Sequence, residues 1–426
     1  MNTKIKLILM NFLEFAVWGA YLTSMGTYLS QAGFGSIIGW FYAVQGIVSI
    51  FMPALMGIVA DRWIPAQRLL GLCHLLAGGF MVAAGLYGQL VNADMMLLFV
   101  LYTCSIAFYM PTLALSNSVA FNALVKSGLD TVKDFPPIRV FGTIGFICTM
   151  WAVDLLGYQA TSNQFIVSGL LSAVLALYAQ ALPACPTGKD VVREGTQRKT
   201  LVQALGLDAF RLFKNYRMAV FFIFSMLLGV SLQITNGYAN PYITSFGSIA
   251  EYADTFGAQH ANILISLSQV SETCCILLIP FFLKKFGIKN VMMIAMLAWV
   301  LRFGLFGTGN PGAGLWMFIL SCIVYGVAFD FFNISGALFV DQNTDEGIRS
   351  SAQGLFMMMT NGLGASIGTL SAQAVVNHFV YNQDAAMQLE GWRTCWFIFA
   401  GYALVVLVLF MFIFRPKKAP TGHREK

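Results

Sequence analysis

The run Leu315-Trp-Met-Phe-Ile-Leu-Ser-Cys-Ile-Val-Tyr325-Gly-Val-Ala-Phe-Asp330-Phe-Phe-Asn-Ile-Ser335-Gly-Ala-Leu-Phe-Val340 decides the fold. It holds one charge, Asp330, near its middle. As a helix rising 1.5 Å per residue it is about 39 Å long, more than the roughly 30 Å of a bilayer's hydrocarbon core. A carboxylate at that depth costs about 2.5–3.5 kcal/mol on insertion scales, so Asp330 is expected to face protein or a water-filled cavity. Asn333, at i+3, shares its side of the helix.

Two upstream apolar runs repeat the pattern, with Gln233 and Asn236 in one and Gln269 and Glu272 in the next. Three polar faces turned toward each other would line a cavity in mid-membrane, which predicts a passage for a polar solute.

The composition agrees with a membrane chain. Of 426 residues, 58% are hydrophobic and 10% charged, with mean hydropathy +0.72. A soluble domain carries about a quarter charged residues. The first apolar stretch is too long for a signal-peptide core and has no small-residue cleavage site, so it reads as a first span. The eight cysteines are scattered, without CxxC or Cys/His ligand spacing, which predicts neither a disulfide framework nor a metal site. No nucleophile–base constellation suggests an enzyme. The net charge of +6 is explained by topology rather than by nucleic acid.

Twelve spans are expected, near 7–30, 36–60, 69–88, 95–119, 139–158, 163–183, 216–242, 261–283, 289–308, 315–340, 350–377 and 391–415. Lys and Arg occur at alternate connections: Lys4 and Lys6, Arg62 and Arg68, Lys126 and Lys133, a cluster from Lys189 to Lys214, Lys284 to Lys289, Arg349, and Arg415 onward. The connections near 31–36, 89–94, 159–162, 245–260, 309–314 and 378–390 have none. By the positive-inside rule both termini are cytoplasmic. The polar stretch at 185–215 divides the chain into six-span halves, 1–184 and 216–415, with a tail at 416–426. Within that stretch, Thr200–Lys214 reads equally as an interfacial helix or a solvated linker.

Several side chains are candidates for binding. Arg139 and Thr143 on span 5 are i, i+4, just after Phe135-Pro-Pro137; Arg139 reaches either the cavity or the cytoplasmic surface. The amides of Gln233, Asn236 and Gln269 both donate and accept. Tyr325, Phe329, Asp330 and Asn333 combine rings for stacking with polar groups for hydroxyls. For Glu272 and Asp330 the structural alternative is a buried salt bridge. Other charges carry less: Glu14 snorkels toward Lys6 or serves as a proton site, Asp154 reaches water, and Arg302 snorkels outward. His74 and His378 are read as packing or surface residues. Pro53, Pro111 and Pro280 are expected to kink or end helices.

Gly57-Ile-Val-Ala-Asp61-Arg62 closes span 2, and Lys284-Lys-Phe-Gly287-Ile-Lys289 follows span 8. These segments resemble the degenerate signature of the major facilitator superfamily between helices 2 and 3, with Gly57, Asp61 and Arg62 retained and Ile64 replacing a later glycine. Longer segments resemble its bacterial nucleoside:proton symporter family, which includes nucleoside and xanthosine permeases: Met52–Asp61, Phe135–Arg139, Gly142–Phe146, Leu205–Phe210, Leu232–Asn236, Phe286–Asn290, Phe329–Ser335 and Ser351–Gly354.

The resemblance implies two six-helix bundles, alternating access, and import of purine or pyrimidine ribonucleosides by proton symport. It implies a monomer in a bacterial inner membrane and no cofactor beyond the proton. It also places substrate on Arg139, Thr143, Gln233, Asn236, Gln269, Glu272, Tyr325, Phe329, Asp330 and Asn333, with Glu272, Asp330 and Glu14 as proton-coupling candidates. Glu14 departs from relatives that place Gln there. A sugar or oligosaccharide permease of the same fold is the alternative.

Overall fold

The computed structural model describes residues 2–185, 207–345 and 348–414. Most of these residues are helical: α1 Thr3–Gly19, α2 Met25–Gln31, α3 Ile38–Arg62, α4 Ala66–Tyr87, α5 Met95–Tyr109, α6 Thr112–Lys126, α7 Thr131–Leu155, α8 Asn163–Tyr178, α9 Tyr216–Ser245, α10 Phe256–Gln259, α11 Ala261–Ile276, α12 Ile279–Thr308, α13 Leu315–Asn343, α14 Arg349–Met357, α15 Ala365–Val376 and α16 Gln388–Ile413. In lipid a helix satisfies its own backbone, which is why apolar runs of this length adopt it.

Nine helical segments among the described residues are long and apolar enough to cross a membrane. The other three expected spans are interrupted. Span 1 breaks at Ala20–Ser24 between α1 and α2. Span 8 stops after Ile276 and resumes at Ile279. Span 11 contains a wide turn of π-helix, Met358–Gly364, between α14 and α15.

Proline and glycine mark the breaks. Pro111 separates α5 from α6, Pro280 opens α12, and Pro53 is accommodated inside α3. Gly287 (φ 75°, ψ 165°) divides α12 between spans 8 and 9; a side chain there would be strained.

Leu207–Lys214 forms a short 3-10 segment. The rest of the candidate interfacial helix lies outside the described residues, as do the side chains of Asp61 and Arg62 and the tail from 415.

Within each half the helices pack closely: α1 on α7 and α4 on α8 in the first, α12 on α13 and α16 and α11 on α13 in the second. The halves meet chiefly where α2 meets α9, α3 meets α15, and α7 meets α11. At one end the meeting is tight. Thr23 donates to Asn262 (2.6 Å), Thr27 to Asn240 (2.6 Å), and Gln159 to the Gln259 carbonyl (2.7 Å). A Cβ on Gly26 would lie 2.2 Å from the Gly237 carbonyl oxygen, so there the backbones touch. This seam lies beside the connections that lack Lys and Arg.

Candidate functional site

Below that seam the halves part around a cavity of about 1010 Å³, the upper end of the range for small-molecule pockets. Its lining descends to Asp208, Ile348 and Ser351, toward the basic connections. Eight of the expected site residues line it: Arg139, Thr143, Gln233, Asn236, Gln269, Glu272, Tyr325 and Phe329.

The helices position these groups by period. On α9, Ile234 and Thr235 are buried while Gln233 and Asn236 are only half-buried, so the pair opens one stripe of the helix to the cavity. The two amides are linked, Asn236 Nδ2 donating to Gln233 Oε1 (2.8 Å). Gln269 Oε1 is buried without a hydrogen-bond partner among the described residues. The Tyr325 and Phe329 rings stack at 5.5 Å and 15°, one turn apart on α13. The Arg139 guanidinium lies 3.8 Å above the Phe15 ring and interacts electrostatically with Glu272. The cavity alternative for Arg139 is thus the one observed.

Asp330 and Asn333 do not line the cavity. Asp330 follows Phe329 by about 100° of helical turn and is buried, with Oδ2 unpartnered among the described residues. It is close enough to Glu272 for the two carboxyl groups to interact. Asn333 turns its amide back onto the Phe329 carbonyl (3.0 Å).

Glu14 is also off the cavity, and it does not reach Lys6, whose amine donates instead to the Ala181 carbonyl (2.9 Å). Glu14 Oε2 is 2.9 Å from His74 Nε2, both side chains fully buried, and Thr112 Oγ1 is 2.6 Å from Oε1. The Ser172 hydroxyl lies within hydrogen-bond distance of both the His74 carbonyl (2.9 Å) and His74 Nδ1 (2.8 Å). His74, read from sequence as a packing or surface residue, is therefore the partner of this carboxylate. His378 is exposed, as a surface residue should be.

Two further expectations fail. Arg302 does not snorkel; it is 1% exposed. It donates to the Ser321 carbonyl (2.7 Å) and to Ser268 Oγ (3.4 Å), with the Tyr325 ring 4.5 Å from its guanidinium carbon. The close packing of α12 on α13, sealed by Ser321 Oγ on the Arg302 carbonyl (2.9 Å), supplies polar partners that snorkelling would otherwise seek. Asp154 does not reach water; it is buried against His260, at 2.5 Å.

The sequence reading missed Trp18, Gln45, Ser49, Asn117 and Asn361, all on the lining. Trp18 Nε1 donates to Gln45 Oε1 (3.3 Å), and Gln45 Nε2 to the Tyr102 hydroxyl (2.8 Å). The signal was present: these amides sit within apolar runs, and Gln45 and Ser49 are i, i+4, as informative as Gln233 and Asn236.

Residues 1–419 match the nucleoside H+ symporter family. This chain belongs to that family. It is 46% identical to the nucleoside permease NupG of Escherichia coli (strain K12) over 427 residues, covering 99% of each chain. It is 46% identical to the xanthosine permease of the same organism over 429 residues, covering 100% of this chain and 99% of that one. A crystal structure of the nucleoside transporter NupG superposes with TM-score 0.89 at 45% identity, over 98% of this chain and 100% of that one. A D-xylose–proton symporter, at 15% identity and TM-score 0.68 over 97% of this chain and 98% of that one, shares the fold alone. The protein is thus an all-helical, multi-pass membrane transporter of the major facilitator fold, and not an enzyme.

Proposed function

We propose that this protein imports nucleosides together with protons across a bacterial inner membrane, by alternating access of two six-helix halves, 1–184 and 216–415. In this reading twelve crossings place both termini in the cytoplasm, and the 185–215 connection links the halves there. The cavity then opens inward. The carrying observation is the convergence of amides, two stacked rings, Arg139 and Glu272 on one cavity between the halves.

The chemistry follows from those groups. The Gln233, Asn236 and Gln269 amides match the mixed donors and acceptors of a base edge or ribose. Tyr325 and Phe329 offer a face for a base to stack on. Glu272 accepts from ribose hydroxyls, and Arg139 balances its charge. Asp330, buried with an unpartnered oxygen, is a group that one proton neutralises, because an uncompensated buried carboxylate is costly. Glu272 and Asp330 form the proposed coupling pair, with Glu14 a third, more remote candidate. Asn333 supports the Phe329 turn. Gly57, Asp61 and Arg62 form the proposed gating turn.

The test is uptake of labelled uridine and adenosine into proteoliposomes with and without an inward proton gradient. Accumulation that needs the gradient, and that other nucleosides but not disaccharides suppress, supports the proposal. Suppression by disaccharides in place of nucleosides would establish the sugar-permease alternative.

A further inference from the structure

The transport reading leaves Asp154 unused, yet its carboxylate bridges the halves. It stands at the end of α7, and its side chain is buried. Oδ2 accepts the backbone N–H groups of Asn262 (3.1 Å) and Ile263 (3.2 Å), and Oδ1 lies 2.5 Å from His260 Nδ1. Those amides are in the first turn of α11, a sixteen-residue helix whose own N-cap residue, His260, makes no side-chain capping bond. A helix start exposes N–H groups that need acceptors, and a carboxylate there also meets the positive end of the helix dipole. Here the cap is supplied from the other half of the molecule.

The two helices joined in this way matter. α7 carries Arg139 and Thr143, and α11 carries Gln269 and Glu272, so each presents its half's residues to the cavity. Arg139 is about 22 Å along α7 from Asp154, and Glu272 about 15 Å along α11 from Asn262, at 1.5 Å per residue. Between latch and cavity the seam continues, with Asn262 Nδ2 donating to the Met150 carbonyl (3.3 Å) and Trp151 Nε1 to Ser266 Oγ (2.8 Å).

We propose that Asp154 is a gating latch: an N-cap given in trans to α11 that holds the far end of the cavity shut. It must release before the cavity opens on that side. Releasing it strands two amides and the His260 ring, so the closed end is favoured until other interactions offset the loss. Asp154 is a positioning residue, touching no substrate and acting through α11. The inference rests on the alternating-access reading above.

Spin labels at Val91 and Ser248, exposed on connections of opposite halves beside the seam, test it in the full chain in nanodiscs. Cys104, Cys148 and Cys274, the free cysteines that are not buried, are first replaced by serine. D154A should raise the ratio of long to short label separations about tenfold, the scale of losing a helix cap and one further bond. D154N keeps an acceptor for the two amides and should recover most of the closed population, with H260A in between. If nucleoside moves the distribution in the parent protein but D154A and H260A match the parent, the latch is refuted and alternating access stands. If no variant, ligand or pH moves it, both fail. A lowered melting temperature in D154A with an unchanged distribution also refutes the latch, because a purely structural cap would do that. H260A carries the same test should D154A fail to fold.

Discussion

Glu14 in the first half and Asp330 in the second are both carboxylates buried inside apolar helix runs, and their surroundings differ. Glu14 is enclosed by His74 and Thr112, each within hydrogen-bond distance of one of its oxygens. Asp330 keeps an oxygen with no partner among the described residues and interacts electrostatically with Glu272. A satisfied buried group resists change, whereas an unsatisfied one is costly as an anion and is relieved by a proton. On the coupling proposed for Glu272 and Asp330, burial alone does not mark a coupling residue; the state of its partners does.

That contrast breaks most sharply at the second site. E272Q should lower gradient-driven nucleoside accumulation about 100-fold, the scale of losing a hydrogen bond to a charged group, and D330N should abolish the response of accumulation to the gradient. Exchange of nucleoside without a gradient should persist in D330N. Unimpaired accumulation in both variants would remove the pair from the mechanism.

The first site should respond in stability instead. H74A leaves Glu14 buried without its partner and should cost about 3–5 kcal/mol, read as a lowered unfolding temperature in detergent. E14Q preserves hydrogen bonding to His74, and its uptake should keep the parent's pH dependence. A shifted pH profile in E14Q would make Glu14 a coupling residue and erase the contrast.

Smaller effects refine the second site. R302K should weaken nucleoside binding about five- to thirtyfold, because a desolvated cation over a ring contributes about 1–2 kcal/mol. A cycle with Y325L checks the route, since the R302K effect should vanish once Tyr325 is gone. Q45A removes one cavity amide and should raise KM about two- to tenfold with maximal rate unchanged.

How much of this was legible in the chain follows from distance along it. The paired amides and acids on α9, α11 and α13 were readable because i, i+3 spacing fixes a shared face whatever the helix packs against. Arg139 stayed ambiguous until Phe15 and Glu272, from α1 and α11, were in place around it. Arg302 and Asp154 were misread for one reason. Each lies near a span end, where water is the default partner, and the actual partners come from Ser321 on the adjoining helix and from His260, 106 positions along the chain. Of the twelve expected spans, nine form long apolar helical segments among the described residues, and spans 1, 8 and 11 are interrupted at Ala20–Ser24, at Leu277 and Leu278 and at the π turn Met358–Gly364, because hydropathy averages over such breaks.

The sequence by itself determined that this is a helical membrane protein, which side its basic connections favour, and which faces of which helices are polar. Those properties depend on local period, length and charge against a bilayer, and no fold is needed to state them. Only the tertiary structure decided which buried charges have partners, that Glu14 is shared with His74 while Asp330 keeps an unpartnered oxygen, and that α11 takes its cap from the other half. Partnering is a relation between residues far apart in the chain, and packing alone brings them within the roughly 3 Å at which a hydrogen bond exists.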